Sequence, residues 1–553
     1  MFDMLKIDVV GYGELEVDDN TKLLEISKMV FKEHYKKYLG ARINNEIYPL
    51  FKSPNQNDKV EFIDIRDVDG YRIYTKTISA CFILACKELF PENEAIIHHF
   101  LGPGLYFELS DKKKITFKDM QLIEEKMKEI IDKDIEIKRE EYSREEAIRI
   151  FESSNQKDKV LLFKSVQKPK LKLYSIGEYI DFFHGYLAPS TGFVREFKLK
   201  YYYPGVLILF PNIKNNFNMS NFQDQKKLAK IFEESKEWLE ILGLSNIGSL
   251  NEYISKGKVN DIIQISEALH EKRIAHIADS ICNDEDITII LISGPSSSGK
   301  TTFAKRLGTQ LRVNGKRPVS ISMDDYFLDR DKTPIGKDGN PDFESLNALN
   351  LEQLNKDLIC LLEGESIELP KFNFFTGKSE KSGEFIKVDR EHPIIIEGIH
   401  ALNPKVANEI PDKNKFKIYI SALTQLNIDN HNRISTTDTR LLRRMVRDIK
   451  FRGNDPIRTF NLWKGVREGE EKYIFPFQEN ADVMFNSALV YELALLKNYV
   501  MPLLSKIDSS SIYYSEVKKL IRFLEYFTPI DQINLIPPQS LLREFIGFEI
   551  ERG

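Results

Sequence analysis

Cysteine, tryptophan and histidine are scarce in this chain: 4, 2 and 9 among 553 residues. Cys81, Cys86, Cys282 and Cys360 are scattered, with no spacing that suits a CxxC zinc clip. So few thiols point to a reducing compartment, and each cysteine reads as a small buried apolar side chain. No uninterrupted apolar run approaches the ~20 residues that a membrane span requires. The opening, MFDMLKIDVVGYGELEV, alternates like a strand and lacks the charged-then-apolar layout of a signal peptide. A cytoplasmic protein without a membrane partner is the expectation. Charge of one sign is also lacking: a net -5 gives no global pull toward nucleic acid or anionic lipid, so any basic surface must be local. No internal repeat or low-complexity tract stands out.

What is present is ordinary globular composition, 42% hydrophobic and 29% charged, in 64.3 kDa. That length exceeds one core, so roughly three or four domains are expected. In the first sixty or so residues, KIDVVGYGELEV and DKVEFIDI read as strands around a helix over KLLEISKMVFKEHYKKYL. Further on, ISACFILACKELF reads as a buried helix and GPGLYFEL as a strand. TFKDMQLIEEKMKEIIDKDI and SREEAIRIFESS read as amphipathic helices, the second with Ser143 as N-cap and a carboxylate three residues on. KVLLFKSV and VLILFP read as strands, and residues 222–281 as mostly helical connecting material.

After Asp286 the texture changes. Continuous β-branched runs, ITIILIS, PVSISM, PIIIEG and FKIYIS, alternate with amphipathic helices. Such runs indicate a parallel sheet covered on both faces. YELALLKNYVMPLL and VKKLIRFLEYF read as helices before a closing tail, IPPQSLLREFIGFEIERG.

Between the first of these strands and the helix after it lies GPSSSGKT, Gly294 to Thr301, a match to G-x-x-x-x-G-K-[ST] in the required strand–loop–helix context. Gly294 and Gly299 let the backbone bend so that successive N–H groups point at phosphate oxygens. The helix that follows adds its positive end. Lys300 supplies a mobile cation, and the Thr301 hydroxyl suits Mg²⁺. A nucleoside triphosphate is the expected ligand of this loop.

Asp324 and Asp325 end the next strand, where ligands bind in doubly wound sheets. One of them is placed to take a proton from an attacking hydroxyl; a turn or N-cap aspartate is the plainer reading. Glu397 closes the buried run IIIEG, where an unpaired carboxylate is costly, so it is expected to face Mg²⁺ or its water shell. A buried ion pair competes with that reading. TRLLRRMVRDIKFRG brings Arg440, Arg443, Arg444, Arg447 and Arg452 into thirteen residues. Arg440, Arg444 and Arg447 share a helix face suited to a lid over transferring phosphate, although such runs are more often solvated faces.

Together the loop, SMDDYF, IIIEGIHAL and LLRRMVRDIKFRG resemble the uridine kinase and phosphoribulokinase family over about residues 286–505. The resemblance implies ATP- and Mg²⁺-dependent phosphorylation of a small-molecule hydroxyl. It implies ATP contacts from Gly294, Pro295, Ser296, Ser297, Ser298, Gly299, Lys300, Thr301 and Thr302. Metal contacts fall to Thr301 and Glu397, partly through water. The catalytic set is Asp324, Lys300, Arg444 and Arg447, and acceptor contacts come from Asp324, Tyr326, Phe372 and Arg444. The acceptor segment departs from the family: PKFNFFTGKS has Phe372 at the tyrosine position and Gly377 where a base-contacting histidine falls, and Asn347 replaces an aspartate. Lost hydrogen-bonding groups change selectivity strongly, so uridine itself does not carry over.

The front half resembles other families: residues 1–64 the TGS module of threonyl-tRNA synthetases and some regulatory GTPases, and 65–240 the second synthetase domain, in GPGLYFEL, YSREEA and EYIDFFHGYLAPSTGFVREFKL. The ligand-type positions of that domain's editing site fall on Ile78, Phe82, Phe183 and Leu187. Apolar side chains neither bind zinc nor activate water, so no zinc and no editing hydrolysis are expected. His184, His98 and His99 read as packed or surface residues.

The expected architecture is multidomain: an α+β TGS-like module (1–64), an α+β editing-domain-like region (65–240), a helical connector (241–285), an α/β P-loop kinase with a parallel sheet (286–505) and a helical tail (506–553). The expected activity is phosphoryl transfer from ATP to a nucleoside-like acceptor. The alternative is a tRNA- or ribosome-associated regulatory ATPase that docks through the front half; no NKxD motif supports a GTPase. RNA contact by the front half and homo-oligomer formation stay open.

Overall fold

A computed structural model describes residues 4–212, 217–219, 221–336, 339–389, 392–424 and 426–548. The last five residues of the expected tail lie outside them. The first sheet, in the order β2-β1-β5-β3-β4, holds β1 (Met4–Val9), β2 (Gly13–Asp18), β3 (Tyr38–Ile43), β4 (Glu46–Tyr48) and β5 (Lys59–Asp64). KIDVVGYGELEV is therefore a hairpin, β1 against β2, rather than one strand. Helix α1 (Leu23–Phe31) buries Leu23 and Ile26 beneath this sheet. It is shorter than its apolar stripe suggests, because the chain turns left-handed at Lys32 (φ 50°) into a 3-10 turn and then β3.

The next region holds α2 (Val68–Leu89), β6 (Ala95–Leu101), β7 (Gly104–Leu109), α3 (Phe117–Asp132), β8 (Ile137–Ser143), α4 (Arg144–Ser153), α5 (Lys157–Ser165), β9 (Lys170–Ile176), β10 (Tyr179–Asp181), β11 (Lys198–Tyr202) and β12 (Gly205–Leu209). Its two antiparallel sheets run β11-β12-β7-β6 and β10-β9-β8. Ser143 caps α4 by accepting the Glu146 N–H, and the Glu146 carboxylate accepts the Ser143 N–H in return. KVLLFKSV is not a strand but most of α5. Its buried positions, Lys159, Leu162 and Phe163, fall at helical spacing, and a short apolar run alone does not separate a buried strand from a buried helix. One continuous core runs from Ile7 through Phe82 to Phe210, joining the first sheet to this region.

Helices α6 (Lys226–Leu242), α7 (Ile247–Ser255) and α8 (Val259–Cys282) connect to the second half. That half contains β13 (Ile289–Ser293), α9 (Lys300–Val313), β14 (Val319–Ser322), α10 (Leu351–Leu362), β15 (Ile367–Asn373), β16 (Lys378–Ile386), β17 (Ile394–Glu397), β18 (Lys415–Ser421), α11 (Thr436–Arg452), α12 (Pro456–Tyr473), β19 (Val483–Asn486) and α13 (Glu492–Leu504). After it come α14 (Tyr514–Leu524) and α15 (Arg543–Ile546).

The sheet order is β14-β17-β13-β18-β19, with every pairing parallel. Both faces are covered, which is why its strands are apolar throughout. In β13, Ile290 and Ile292 face α8 and α9, while Ile289 and Leu291 face the opposite core with Leu354 and Leu358 of α10. The connector helix α8 is thus a layer of the parallel-sheet unit. Among the described residues no helix is long and apolar enough to cross a membrane.

Candidate active site

The sheet delivers its functional groups at the carboxyl ends of β13, β14 and β17, where parallel strands leave a crevice. Gly294 follows β13 so tightly that a Cβ there would lie 2.0 Å from the Ile420 carbonyl oxygen. Ser297 (φ 59°) and Gly299 (φ 87°) are left-handed and bend the loop around its own amides. Helix α9 starts at Lys300, and its first satisfied helical amide is that of Phe303, bonded to Gly299 O at 3.0 Å. The N–H groups before it have no intrahelical acceptor, and that of Thr302 donates to Glu544 at 3.2 Å. Ser297 Oγ and Ser298 Oγ are buried without a hydrogen-bond partner. Lys300 folds back, donating to Gly294 O at 3.0 Å and Pro295 O at 3.3 Å. Burial pulls its ammonium below the ordinary value, against the Glu397, Asp324 and Glu544 charges.

Glu397 closes β17 and accepts from the Thr301 hydroxyl at 3.1 Å and from the Ser322 hydroxyl at 3.2 Å, all on one carboxylate oxygen. Burial first, and the Asp324 charge second, push Glu397 up to about 7. Asp324 is exposed in the turn after β14 and acts electrostatically on both Glu397 and Lys300. Asp325 turns the other way, accepting the Phe372 N–H, and burial raises it. Tyr326 is buried and donates to Asp357 at 2.9 Å. Phe372 is buried in a ring cluster with Phe327, Phe343 and Phe374. Gly377, in the hairpin turn between β15 and β16, has φ 69° and leaves a Cβ only 2.8 Å from the Arg330 side chain.

Arg440, Arg443 and Arg444 of α11 are buried rather than solvated, while Arg452 at the end of the helix is exposed. Arg440 Nε donates to Ser296 O at 3.0 Å, Arg444 to Ser296 Oγ at 3.0 Å, and Arg443 bonds Ser487 O at 2.8 Å beneath the loop. Arg447 is held by the buried Asp448 at 3.0 Å and lies within electrostatic reach of Lys300. Three carboxylates fix this arrangement, of which only Asp448 lies within the arginine run itself. Asp448 orients Arg444 and Arg447, Glu470 pairs with Arg440 and Arg467, and Glu492 bonds Arg443 at 2.5 Å. Glu344, raised by burial, faces Arg444 and Lys300. Glu544 of α15 bonds Thr302.

In the front half, Ile78, Phe82, Phe183 and Leu187 are all buried in the shared core. They bring no ligand atom to the place where the synthetase resemblance puts an editing site.

A five-stranded parallel sheet with this loop at its crevice defines a P-loop nucleotide-binding domain. Residues 289–494 match the Phosphoribulokinase / Uridine kinase family and form a kinase domain of that family in the C-terminal half. The N-terminal region is similar to segments of threonine–tRNA ligases. The ligase of Clostridium kluyveri is 29% identical over 265 residues, 48% of this chain and 40% of that one. That of the Wolbachia symbiont of Brugia malayi is 32% identical over 165 residues, 30% of this chain and 26% of the other. The chain thus spans about 40% of the length of the former. Among solved structures, a possible uridine kinase from Bacillus stearothermophilus aligns with 39% of this chain and 98% of its own at 21% identity and TM-score 0.27. D-glycerate 3-kinase from Cryptococcus neoformans aligns with 46% and 87% at 13% identity and TM-score 0.22.

Proposed function

We propose that the chain transfers the γ-phosphoryl group of ATP to a hydroxyl of a small, nucleoside-like molecule, with Mg²⁺ required. The observation that carries this reading is the pairing of the Thr301 hydroxyl with the Glu397 carboxylate at 3.1 Å, beside Lys300. The donor set suits Mg²⁺: hard oxygens from one buried carboxylate and two hydroxyls, with Asp324 nearby. Among the described residues no group of three or more His, Cys, Asp or Glu converges to hold a metal alone. That fits an ion held by few protein ligands together with phosphates and water. When bound, Mg²⁺ neutralises charge on the phosphates.

The chain's own residues supply the rest. The free N–H groups between Gly294 and Thr302, Pro295 having none, hold the triphosphate, and Lys300 leaves its loop carbonyls for phosphate oxygens. Asp324, exposed at the crevice, takes the proton of the acceptor hydroxyl as its oxygen attacks. Arg444 and Arg447 offset the charge that accumulates during in-line transfer. Phe327, Phe343, Phe372 and Phe374 flank the acceptor side, so recognition there rests more on ring faces than on hydrogen bonds.

Purified protein with Mg·ATP and a panel of pyrimidine and purine nucleosides, ribulose phosphates, pantothenate and inositol tests the reading. ADP release that depends on one acceptor class supports it. Acceptor-independent hydrolysis stimulated by tRNA points instead to a regulatory ATPase.

A further inference from the structure

The C-terminal segment reaches back to the phosphate loop. Leu541, Leu542, Phe545 and Ile546 are buried, and Arg543 ties the segment together by donating to Ile536 O at 2.6 Å and Gly547 O at 3.0 Å. Arg443 of α11 lies over the Phe545 ring at 5.1 Å, and Lys450 donates to Ile546 O at 2.7 Å. Leu541 packs so near the loop that a Cβ on Gly299 would meet it at 3.6 Å. Held this way, Glu544 places one carboxylate oxygen 3.2 Å from the Thr302 N–H and 2.9 Å from the Thr302 hydroxyl.

Thr302 is the third residue of α9, so its N–H is one of the donors that the helix leaves free for an anion. A second carboxylate, Glu470, also touches the loop, 3.2 Å from the Ser296 N–H. Its charge is met by Arg440 and Arg467. Among the described residues Glu544 has no such ion pair, and its charge acts on Lys300 and Glu397. A negative group thus sits on a donor of the seat that a triphosphate needs, where like charges repel at short range.

We propose that Glu544 is an intramolecular competitor for the triphosphate, so that the C-terminal segment sets nucleotide affinity and must release Thr302 before nucleotide seats fully. This rests on the kinase reading above. A bound nucleotide and the Thr302–Glu544 contact are mutually exclusive, and anything that draws α15 off α11 raises nucleotide affinity.

The test is calorimetric binding of a non-hydrolysable ATP analogue with Mg²⁺ to full-length wild type, Glu544→Gln and Lys300→Ala. Glu544→Gln keeps the side-chain shape and removes the charge. The expected result is at least tenfold tighter binding by Glu544→Gln than by wild type, with binding lost in Lys300→Ala. Hydrogen exchange on wild type supplies a second readout: the Phe545, Ile546 and Gly547 amides, bonded to Leu542 O and Arg543 O, should exchange faster when the analogue is added. Equal or weaker binding by Glu544→Gln, with binding lost in Lys300→Ala, overturns the competitor and leaves the kinase reading intact. The weaker case would mean that Glu544 helps hold the nucleotide. No binding by wild type or Glu544→Gln, or binding that survives Lys300→Ala, overturns the kinase reading and the competitor together.

Discussion

His431, on the loop that leads into α11, bonds Asp181 of β10 at 2.6 Å, both side chains buried between the two halves of the chain. Lys159 of α5 completes the cluster, its ammonium 3.1 Å from Asp181 and itself buried. The loop around His431 is stitched to the front half on both sides. Asn430 O accepts the Ile97 N–H at 2.8 Å, Asn432 Oδ1 accepts the His184 N–H at 2.7 Å, and the Asn432 amide donates to Phe182 O at 2.9 Å. The synthetase-like half therefore grips the segment that carries the arginine helix.

That grip sets the first expectation. Asp181→Asn leaves Lys159 and His431 buried without their carboxylate, which costs on the order of 3–5 kcal/mol. Urea unfolding should show that loss through probes in both halves. Burial would raise Asp181, but Lys159 and His431 outweigh it and hold the group well below its ordinary value of 3.8. Its contribution is therefore complete above that value and is lost only as the pH falls through the lower folded value.

Gly294→Ala should abolish nucleotide binding. A Cβ 2.0 Å from the Ile420 carbonyl forces either β18 or the loop to move, at about 1–3 kcal/mol. A fall in melting temperature together with lost analogue binding checks this; an unchanged affinity would contradict the tight start of the loop.

Glu397→Gln should stabilise the metal-free protein at pH 8 and not at pH 4. The folded carboxyl titrates at about 7 against an ordinary 4.5, so its favourable contribution is full below 4.5 and fades as pH rises through 7. At the alkaline end the loss is on the order of 3 kcal/mol. Conversely, Mg²⁺ binding to the wild type should release protons near neutral pH and tighten between pH 6 and pH 8. Thermal melts across pH and calorimetry in buffers of different ionisation enthalpy read both effects.

Asp324→Asn should lower transfer at least a hundredfold while leaving analogue affinity within a few-fold, because Asp324 is exposed at the crevice and makes none of the loop's own contacts. Transfer near the wild-type rate would move the proton acceptor elsewhere. Asp325, turned onto the Phe372 amide, is poorly placed for it.

What the sequence displays is what is local. The apolar runs of β13 and β17, bounded by Gly294 and Gly398, show a covered parallel strand within a few residues, and GPSSSGKT shows the loop between β13 and α9. The run in α5 does not settle helix against strand, because four apolar residues fit either until packing decides. The carboxylates that organise the site are illegible for a different reason. Glu470 meets Ser296 across 174 residues and Glu544 meets Thr302 across 242, so no window of sequence holds both partners. The arginine run TRLLRRMVRDIKFRG has the pattern of a solvated face, and only the buried Asp448, Glu470 and Glu492 turn it inward.

The central claim is tested most directly by following γ-³²P from ATP in the presence of Mg²⁺ and the acceptor panel, with wild type beside Asp324→Asn. The account predicts label transferred to one acceptor class by wild type and almost none by Asp324→Asn. Label released only as inorganic phosphate, at the same rate with and without any acceptor, would contradict it.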